Sequence, residues 1–118
     1  MGIDGEIDAS NADLITQAIR RFSQLKAPLI LDLSRLDFLG SAGLETLLTL
    51  NDEHQQAQIL CSVVSGAALR RLTQVVPDHG LPIVDSVPEA LQHIEDAMRV
   101  RRRFVSGLAR QHEPQGSA

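Results

Sequence analysis

The sequence is poor in aromatic residues and in cysteine, and each shortage excludes a class of protein. Its 118 residues include three Phe and no Tyr or Trp. The core must therefore be built from Leu, Ile, Val and Ala, and the aromatic platforms on which single-stranded nucleic acids stack are missing. Cys61 is the single cysteine, so one chain cannot form a disulfide or a cysteine-based zinc site. Because Cys61 lies in the apolar run 59–64, we interpret it as a small buried hydrophobic residue.

Long apolar stretches are also missing. No run approaches the ~20 residues that cross a bilayer. The first residues, MGIDGE, lack the basic and then apolar pattern of a signal peptide. We therefore expect a cytoplasmic protein without a membrane partner, and the chain length fits one domain.

Charge divides the chain into an acidic body and a basic end. Residues 1–96 contain fourteen acidic and six basic side chains, whereas residues 97–118 contain five Arg and one Glu. The acidic body would repel phosphate, so we expect no nucleic-acid partner. Two interpretations of the arginine-rich segment 99–110 stay open. It is a solvated helix end whose arginines complement the helix dipole, or it docks onto an acidic surface of a partner or of a second copy.

Apolar patterning predicts alternating strands and helices, which is typical of an α/β fold with helices packed on a sheet. Ser10 and Asp13 have the spacing of a capping box, and the helix that they open should bury one face. A second capping box, at Ser86 and Glu89, should open the last helix, which we expect to continue past Ala97. The full predicted order is: a helix with Leu14, Ile15, Ala18, Ile19, Phe22 and Leu25 on one face; a strand over 28–33; a helix from the Gly40–Gly43 turn to about Gln56; a strand over 58–64; a helix capped by Ser65 and stopped by Pro77; a strand over 81–85; and the last helix.

Catalytic and metal-binding patterns are weak. The segment LGSAG at 39–43 superficially resembles the G-x-S-x-G turn of hydrolases, but position 39 is Leu and no companion His or Asp is identifiable. The four His residues are not at metal-ligand spacing, and there is no glycine-rich phosphate loop. We therefore expect no enzyme activity, no cofactor and no metal.

Ser41 is the residue that stands out. It follows a buried strand and a glycine, at or next to the start of a helix. One interpretation is structural, because serine is a preferred N-cap residue. The other is functional, because a hydroxyl at a helix N-terminus is accessible to a kinase, and a phosphate placed there meets free backbone N–H groups and the positive end of the dipole.

Two motifs resemble bacterial STAS domains of the anti-sigma factor antagonist type. The segment from Leu31 to Leu44, LDLSRLDFLGSAGL, is similar to the family's strand and serine turn, and Gly5–Asp8, GEID, is similar to the motif before its first helix. The resemblance covers about residues 3–97. The family's acidic residue just before the serine is Gly40 here, and the strand that precedes the GEID motif in the family is cut short.

The resemblance implies a partner switch. The unphosphorylated antagonist would bind an anti-sigma factor, a serine kinase of the histidine-kinase-like ATPase fold, and free the sigma factor. Phosphorylation of Ser41 would break the complex, and a phosphatase would restore it. The partner-binding residues that carry over are Asp8, Asp32, Gly40, Ala42, Gly43 and Leu44. A STAS scaffold or transporter-associated subunit without a phosphoswitch remains the alternative.

The expected organisation is a STAS domain over residues 1–98, with a small mixed β-sheet and a truncated first strand, followed by a basic helical extension and frayed tail over 99–118. Because an incomplete sheet exposes an unpaired edge, we expect either a homodimer or a fold stabilised by additional upstream residues.

Overall fold

The computed structural model describes residues 1–76 and 78–112. Strands and helices alternate as the sequence predicts, except that a strand over residues 36–39, which the sequence did not predict, directly follows the strand over residues 29–32. The expected α/β fold class is confirmed. The elements are β1 (Gly5–Ile7), α1 (Ala12–Ser23), β2 (Leu29–Asp32), β3 (Leu36–Leu39), α2 (Ser41–Gln56), β4 (Cys61–Val64), α3 (Ala67–Val75), β5 (Ile83–Val84) and α4 (Val87–His112).

The strands form two small groups that the first residues of the chain connect. One group has the order β2-β4-β5 and the other pairs β1 with β3. Residues 1–3 run beside β2, where the Asp32 N–H donates to the Met1 carbonyl (2.8 Å) and the Ile3 N–H donates to the Asp32 carbonyl (3.0 Å). Every pairing in the described part of the chain is parallel, whereas we expected a mixture of directions. Parallel strands need long crossovers, and the helices supply them.

The core is aliphatic, as the scarcity of aromatic residues requires. Burial of such side chains is the main stabilising contribution to the fold. The largest fully buried side chains are Ile7, Ile19, Leu33, Leu50 and Leu69.

The buried face of α1 differs from the predicted one. Leu14, Phe22 and Leu25 are 68%, 46% and 72% exposed, while Ala12 and Ile19 are buried. Residues spaced by three or four positions share a helix face. The prediction of this face is therefore correct for Ile19, which is buried, and for Ile15, which packs against the core, and it is wrong for the three exposed residues.

Two predicted helix caps are also wrong. Ser10 bonds to Asp8 instead of capping α1, whose N-cap is Asn11. Ser65 is buried, and the N-cap of α3 is Gly66. A Cβ atom at Gly66 would lie only 2.6 Å from the Ser34 carbonyl oxygen, so close approach of the two turns requires glycine there.

The last helix begins as predicted and continues well past Ala97. The Ser86 hydroxyl accepts from the Glu89 N–H (3.2 Å), and the Glu89 carboxylate accepts from the Asp85 N–H (3.1 Å). The first of these bonds satisfies an N–H group that has no partner within the first helical turn, and the second ties the residue before Ser86 to the helix. None of the helices in the described ranges has the length and hydrophobicity to cross a membrane.

Cys61 lies at the start of β4, where it is partly buried and packs against the core. Burial raises the pKa of its thiol to about 11, so the thiolate is scarce at neutral pH. Cys61 therefore packs as a hydrophobic residue, as predicted, but it is less fully buried than we expected.

His54 is a buried polar group on α2, with 3% of its surface exposed. Its Nε2 atom forms a hydrogen bond with the Ser23 hydroxyl, which links α2 to α1. Desolvation lowers the pKa of His54, and the neighbouring Glu53 carboxylate partly opposes this effect. In the unfolded chain a histidine takes up its proton near pH 6.5, as expected from its usual pKa of about 6.5.

The fold should consequently lose stability in mild acid. Protonation near pH 6.5 favours the unfolded chain, so the contribution of neutral His54 is complete above that pH and declines as the pH falls towards the folded-state pKa. We expect the urea concentration at the unfolding midpoint to decrease as the pH is lowered from about 7.5 to about 5.5. This range lies above the pH at which carboxylates titrate. His54→Gln should flatten this dependence, and His93→Gln, at an exposed position of α4, should retain it. An equally steep dependence in His54→Gln would exclude this role for His54.

Candidate functional site

The turn that carries Ser41 joins β3 to α2. The Gly40 N–H donates to the Ile7 carbonyl (2.9 Å), and the Gly40 carbonyl accepts the first helical bond, from the Leu44 N–H (3.1 Å). Gly40 is the N-cap, with an extended backbone (φ −82°, ψ 173°), and Ser41 is the first residue of α2. The Ser41 side chain is exposed. The serine thus stands next to the N-cap, within the range that we predicted.

This position suits an anion. The N–H groups of a first helical turn have no partner inside the helix, and the dipole is positive there. The first turn of α2 contains no acidic residue. A phosphate on Ser41 would therefore be stabilised locally, and the helix would tolerate it.

Gly43 and Leu44 hold this end of α2 against the strands. A Cβ atom at Gly43 would lie 2.5 Å from Leu39 Cδ1 and 2.8 Å from Ile7 Cγ2. Only a residue without a side chain allows that approach. Gly43 and Leu44 are buried, and so are their neighbours Leu39 and Ile7. Gly43 and Leu44 therefore position the turn from inside, and their surface available to a partner is small.

Asp8 lies directly beside the Ser41 turn, because it follows Ile7, whose carbonyl accepts from Gly40. Its carboxylate accepts from the N–H (2.8 Å) and the hydroxyl of Ser10. These two hydrogen bonds hold the pKa of Asp8 below its ordinary value. Its backbone carbonyl accepts from the Ala12 N–H (3.0 Å), so Asp8 also shapes the start of α1.

Asp32 belongs to a different turn. Its carboxylate accepts from the N–H (3.0 Å) and the hydroxyl (2.6 Å) of Ser34, and these bonds lower the pKa of Asp32. Its backbone pairs with residues 1–3, and the next turn contacts Gly66 through Ser34. Among the described contacts, Asp8 joins the Ser41 turn whereas Asp32 shapes the loop between β2 and β3.

A cleft of about 320 Å³ separates α1 from α2 beside Ser41. Ala42 lines it, directly after the serine, and Asp13 and Glu45 supply two exposed carboxylates. The other lining residues are small: Ala9, Ala12, Thr16, Thr46 and Thr49. A cleft with this charge fits a basic side chain of a partner protein.

Phe38 is a surface residue of the site that sequence reasoning missed. Its side chain is 50% exposed, and its ring lies against Gly40, where a Cβ atom would be 3.4 Å from Phe38 Cε1. Exposed aromatic residues often anchor protein interfaces. The sequence signal was present, since Phe38 is one of only three aromatic residues and stands three positions before Ser41.

No group of three or more His, Cys, Asp or Glu side chains that could hold a metal ion occurs within residues 1–76 and 78–112. The features that the structure brings together around Ser41 are an exposed hydroxyl, a helix end without a side-chain cap, an acidic cleft and an exposed aromatic ring. Such a surface is equipped for binding another protein.

Comparisons with known proteins show what the chain is similar to in sequence and in fold. The family model of the STAS domain matches residues 1–90. Osmosensory protein A of Mycobacterium tuberculosis (strain ATCC 25618 / H37Rv) is 34% identical over 111 residues, which cover 90% of this chain and 70% of that protein. The crystal structure of an anti-sigma factor antagonist from Mycobacterium paratuberculosis superposes with a TM-score of 0.68 and 32% identity, over 80% of this chain and 82% of that one.

A more distant structure shares the fold. The anti-sigma factor antagonist SpoIIAA, in its unphosphorylated form, superposes with a TM-score of 0.56 at 22% identity. The match covers 85% of this chain and 86% of SpoIIAA.

Proposed function

The chain belongs to the STAS domain family, and we propose that it is an anti-sigma factor antagonist that binds its partner when unphosphorylated and is released when Ser41 is phosphorylated. The similarity in fold and sequence to the mycobacterial antagonist supports a regulatory role. The observation that carries the proposal is the exposed Ser41 hydroxyl on the first residue of α2.

The physical basis of the switch is charge at an interface. Phosphorylation adds about 1.5–2 negative charges at pH 7. On the free protein, the N–H groups and dipole of α2 partly neutralise this charge. A partner that docks over the same helix end, with its cation already paired to the carboxylates of the acidic cleft, would bury the added charge unpaired, and the complex would dissociate.

The partner surface that we propose surrounds Ser41. It combines the Phe38 ring, the Asp8 turn and the acidic cleft with Asp13 and Glu45. The complementary surface of the partner would carry an apolar pocket for Phe38 and a basic side chain for the cleft. Ala42 lines the cleft and so belongs to this surface. Gly40, Gly43 and Leu44 contribute mainly by positioning the surface, and Asp32 by shaping the neighbouring loop.

The proposed partner is an anti-sigma factor that is itself a serine kinase of the histidine-kinase-like ATPase fold. It would supply the ATP-binding site, and a phosphatase would reset Ser41. The chain itself would act by binding and not as an enzyme. The name of the relative Osmosensory protein A makes osmotic stress the first stimulus to try in cells.

Phosphosite mapping tests the proposal. The purified chain is incubated with ATP and the serine kinase encoded nearest to its gene, and the product is digested and analysed by mass spectrometry. We expect one phosphate, on Ser41, and none in the matched variant Ser41→Ala. Phosphate on Ser34 or Ser65 with Ser41 unmodified would refute the switch.

The domain boundary near residue 98 remains a proposal. The helix α4 continues without interruption from Val87 to His112, so an extension over 99–118 would begin inside that helix. Arg99, Arg101, Arg102 and Arg103 follow in close succession and are exposed. We propose that this basic segment accelerates docking onto an acidic surface of the partner.

Deletion of residues 99–118 should leave the fold intact and slow association with the partner several-fold at low salt. The difference should shrink above about 0.15 M salt, where the Debye length is about 8 Å. Stopped-flow mixing at several ionic strengths measures the association rates of the deletion variant and of the full chain. The double variant Arg99→Gln/Arg103→Gln keeps the helix length and should show a smaller effect of the same sign. Equal rates for the deletion variant and the full chain at every salt concentration would mean that the arginines take no part in docking.

A further inference from the structure

A second cleft lies far from Ser41, at the edge of the sheet where β2 and β4 begin. It has a volume of about 300 Å³. One wall is formed by the turns before β2 and β4, and the other by α4. Because α2 begins at Ser41 and ends near this cleft, and a helix rises about 1.5 Å per residue, the two sites are separated by roughly 22 Å along that helix.

The charge of this cleft is opposite to that of the body. Lys26, Arg101 and Arg102 line it, and no lining residue is acidic. Among residues 1–76 and 78–103, the ion pairs are Arg20 with Glu53 and Arg99 with Asp96, so none of the three cations has a carboxylate partner there. Three cations that have no carboxylate partner within these residues lie in one cleft of an otherwise acidic domain. They repel each other, and a bound anion would relieve that repulsion.

One of the three cations, Arg101, is held in place by the backbone of the cleft wall. The Arg101 Nη2 atom donates to the Gln58 carbonyl (2.6 Å), which fixes this guanidinium at the wall of the cleft. This bond uses one of the five N–H donors of the Arg101 guanidinium, so other donors remain to bind a ligand. Lys26 and Arg102 are exposed and complete the cationic rim.

Two residues with a left-handed backbone conformation also line this cleft. Lys26 (φ 55°) and Gln58 (φ 58°) are the non-glycine residues with positive φ in the described part of the chain, and both line this cleft. A left-handed conformation is unfavourable for residues with a Cβ atom, by roughly 1–2 kcal/mol. Both residues follow the end of a helix, where a left-handed residue commonly closes the last turn, and these two turns bring them to the cleft wall.

We propose that this cleft binds a small molecule that carries a phosphate group and an apolar part. A phosphate offers several oxygens and more than one negative charge, which matches a rim of one lysine and two arginines. The floor is apolar and would cover the rest of the ligand, through Pro28, Leu60 and Met98. The volume is at the lower end of the range for ligand sites, about 300–1,000 Å³, and so limits the ligand to a small molecule.

Calorimetric titration of the full chain with phenyl phosphate and with inorganic pyrophosphate tests this site. We expect saturable binding of both probes at one site. Arg102→Gln and Lys26→Gln should each weaken binding about tenfold, and Arg103→Gln, one residue along the same helix but outside the cleft, should change it less than about twofold. Met98→Ser should weaken the binding of phenyl phosphate more than the binding of pyrophosphate. Thermal melts check that each variant is folded.

Three results would overturn the proposal. One is the lack of saturable binding of either probe up to about 10 mM. Another is an equal loss in Arg103→Gln, which would indicate general charge attraction. The third is capture of the chain by vesicles containing phosphatidylglycerol without binding of the soluble probes, which would assign the cations to a membrane surface.

Discussion

Ser41→Asp is expected to weaken binding to the anti-sigma factor by on the order of 2–5 kcal/mol, or at least about thirtyfold. The carboxylate places a negative charge at the first residue of α2, where a docked partner would bury it. The same charge lies at the positive end of the helix dipole, so the variant should be at least as stable as the native protein. Ser41→Ala should bind as tightly as the unphosphorylated protein and should resist inactivation by kinase and ATP.

A control variant with the same change in net charge shows whether the position of the added charge matters. Gln56→Glu adds one negative charge at the exposed far end of the same helix. The affinity of this variant for the anti-sigma factor should stay within about threefold of the native value, because a surface charge outside the interface contributes little to binding. Surface plasmon resonance with the immobilised partner compares the variants. Equal losses for Ser41→Asp and Gln56→Glu would show that position is irrelevant and would remove Ser41 from the interface.

Gly43→Val is expected to destabilise the fold by about 1–3 kcal/mol through overpacking. The new Cβ would meet Leu39 Cδ1 at 2.5 Å and Ile7 Cγ2 at 2.8 Å. Ile7 and Leu39 are only 1% and 5% exposed, so neither can move aside into solvent. The helix must shift outward, which also displaces Ser41. The gain in helix propensity over glycine, below about 1 kcal/mol, offsets only part of this cost.

Gly2→Ala is the control for the loss of glycine as such. A Cβ atom at Gly2 would have no heavy atom within 4 Å among the neighbours considered, and its φ is not positive. Its free energy of unfolding should lie within about 0.5 kcal/mol of the native value. Urea titration measures both variants. If Gly43→Val were as stable as Gly2→Ala, the close contact of α2 with β1 and β3 would not be a determinant of the fold.

The elements with strong local signals could be predicted from the sequence. The helix α2 was expected to run from the serine turn to about Gln56, and it ends at that residue. Two glycines around Ser41 and a leucine stripe beyond it made this boundary clear. The capping box at Ser86 and Glu89 likewise predicted the start of α4, because its side chains act within one helical turn.

Features that depend on contacts distant in sequence could not be predicted. The strand β3 has four residues, starts four positions after β2 and forms only through pairing with β1. Ser65 has the residue type of a cap, yet the contact of Gly66 with Ser34 decides where α3 begins. Likewise, sequence similarity suggested Asp8 and Asp32 as parts of one site, whereas hydrogen bonding assigns them to separate turns.

The most direct measurement is the affinity of one purified chain before and after phosphorylation at Ser41. Calorimetric titration of the anti-sigma factor with each form, and with the phosphorylated form after phosphatase treatment, isolates the effect of the phosphate. The proposed switch predicts at least about thirtyfold weaker binding on phosphorylation and full recovery on dephosphorylation. The same affinity for both forms would contradict it.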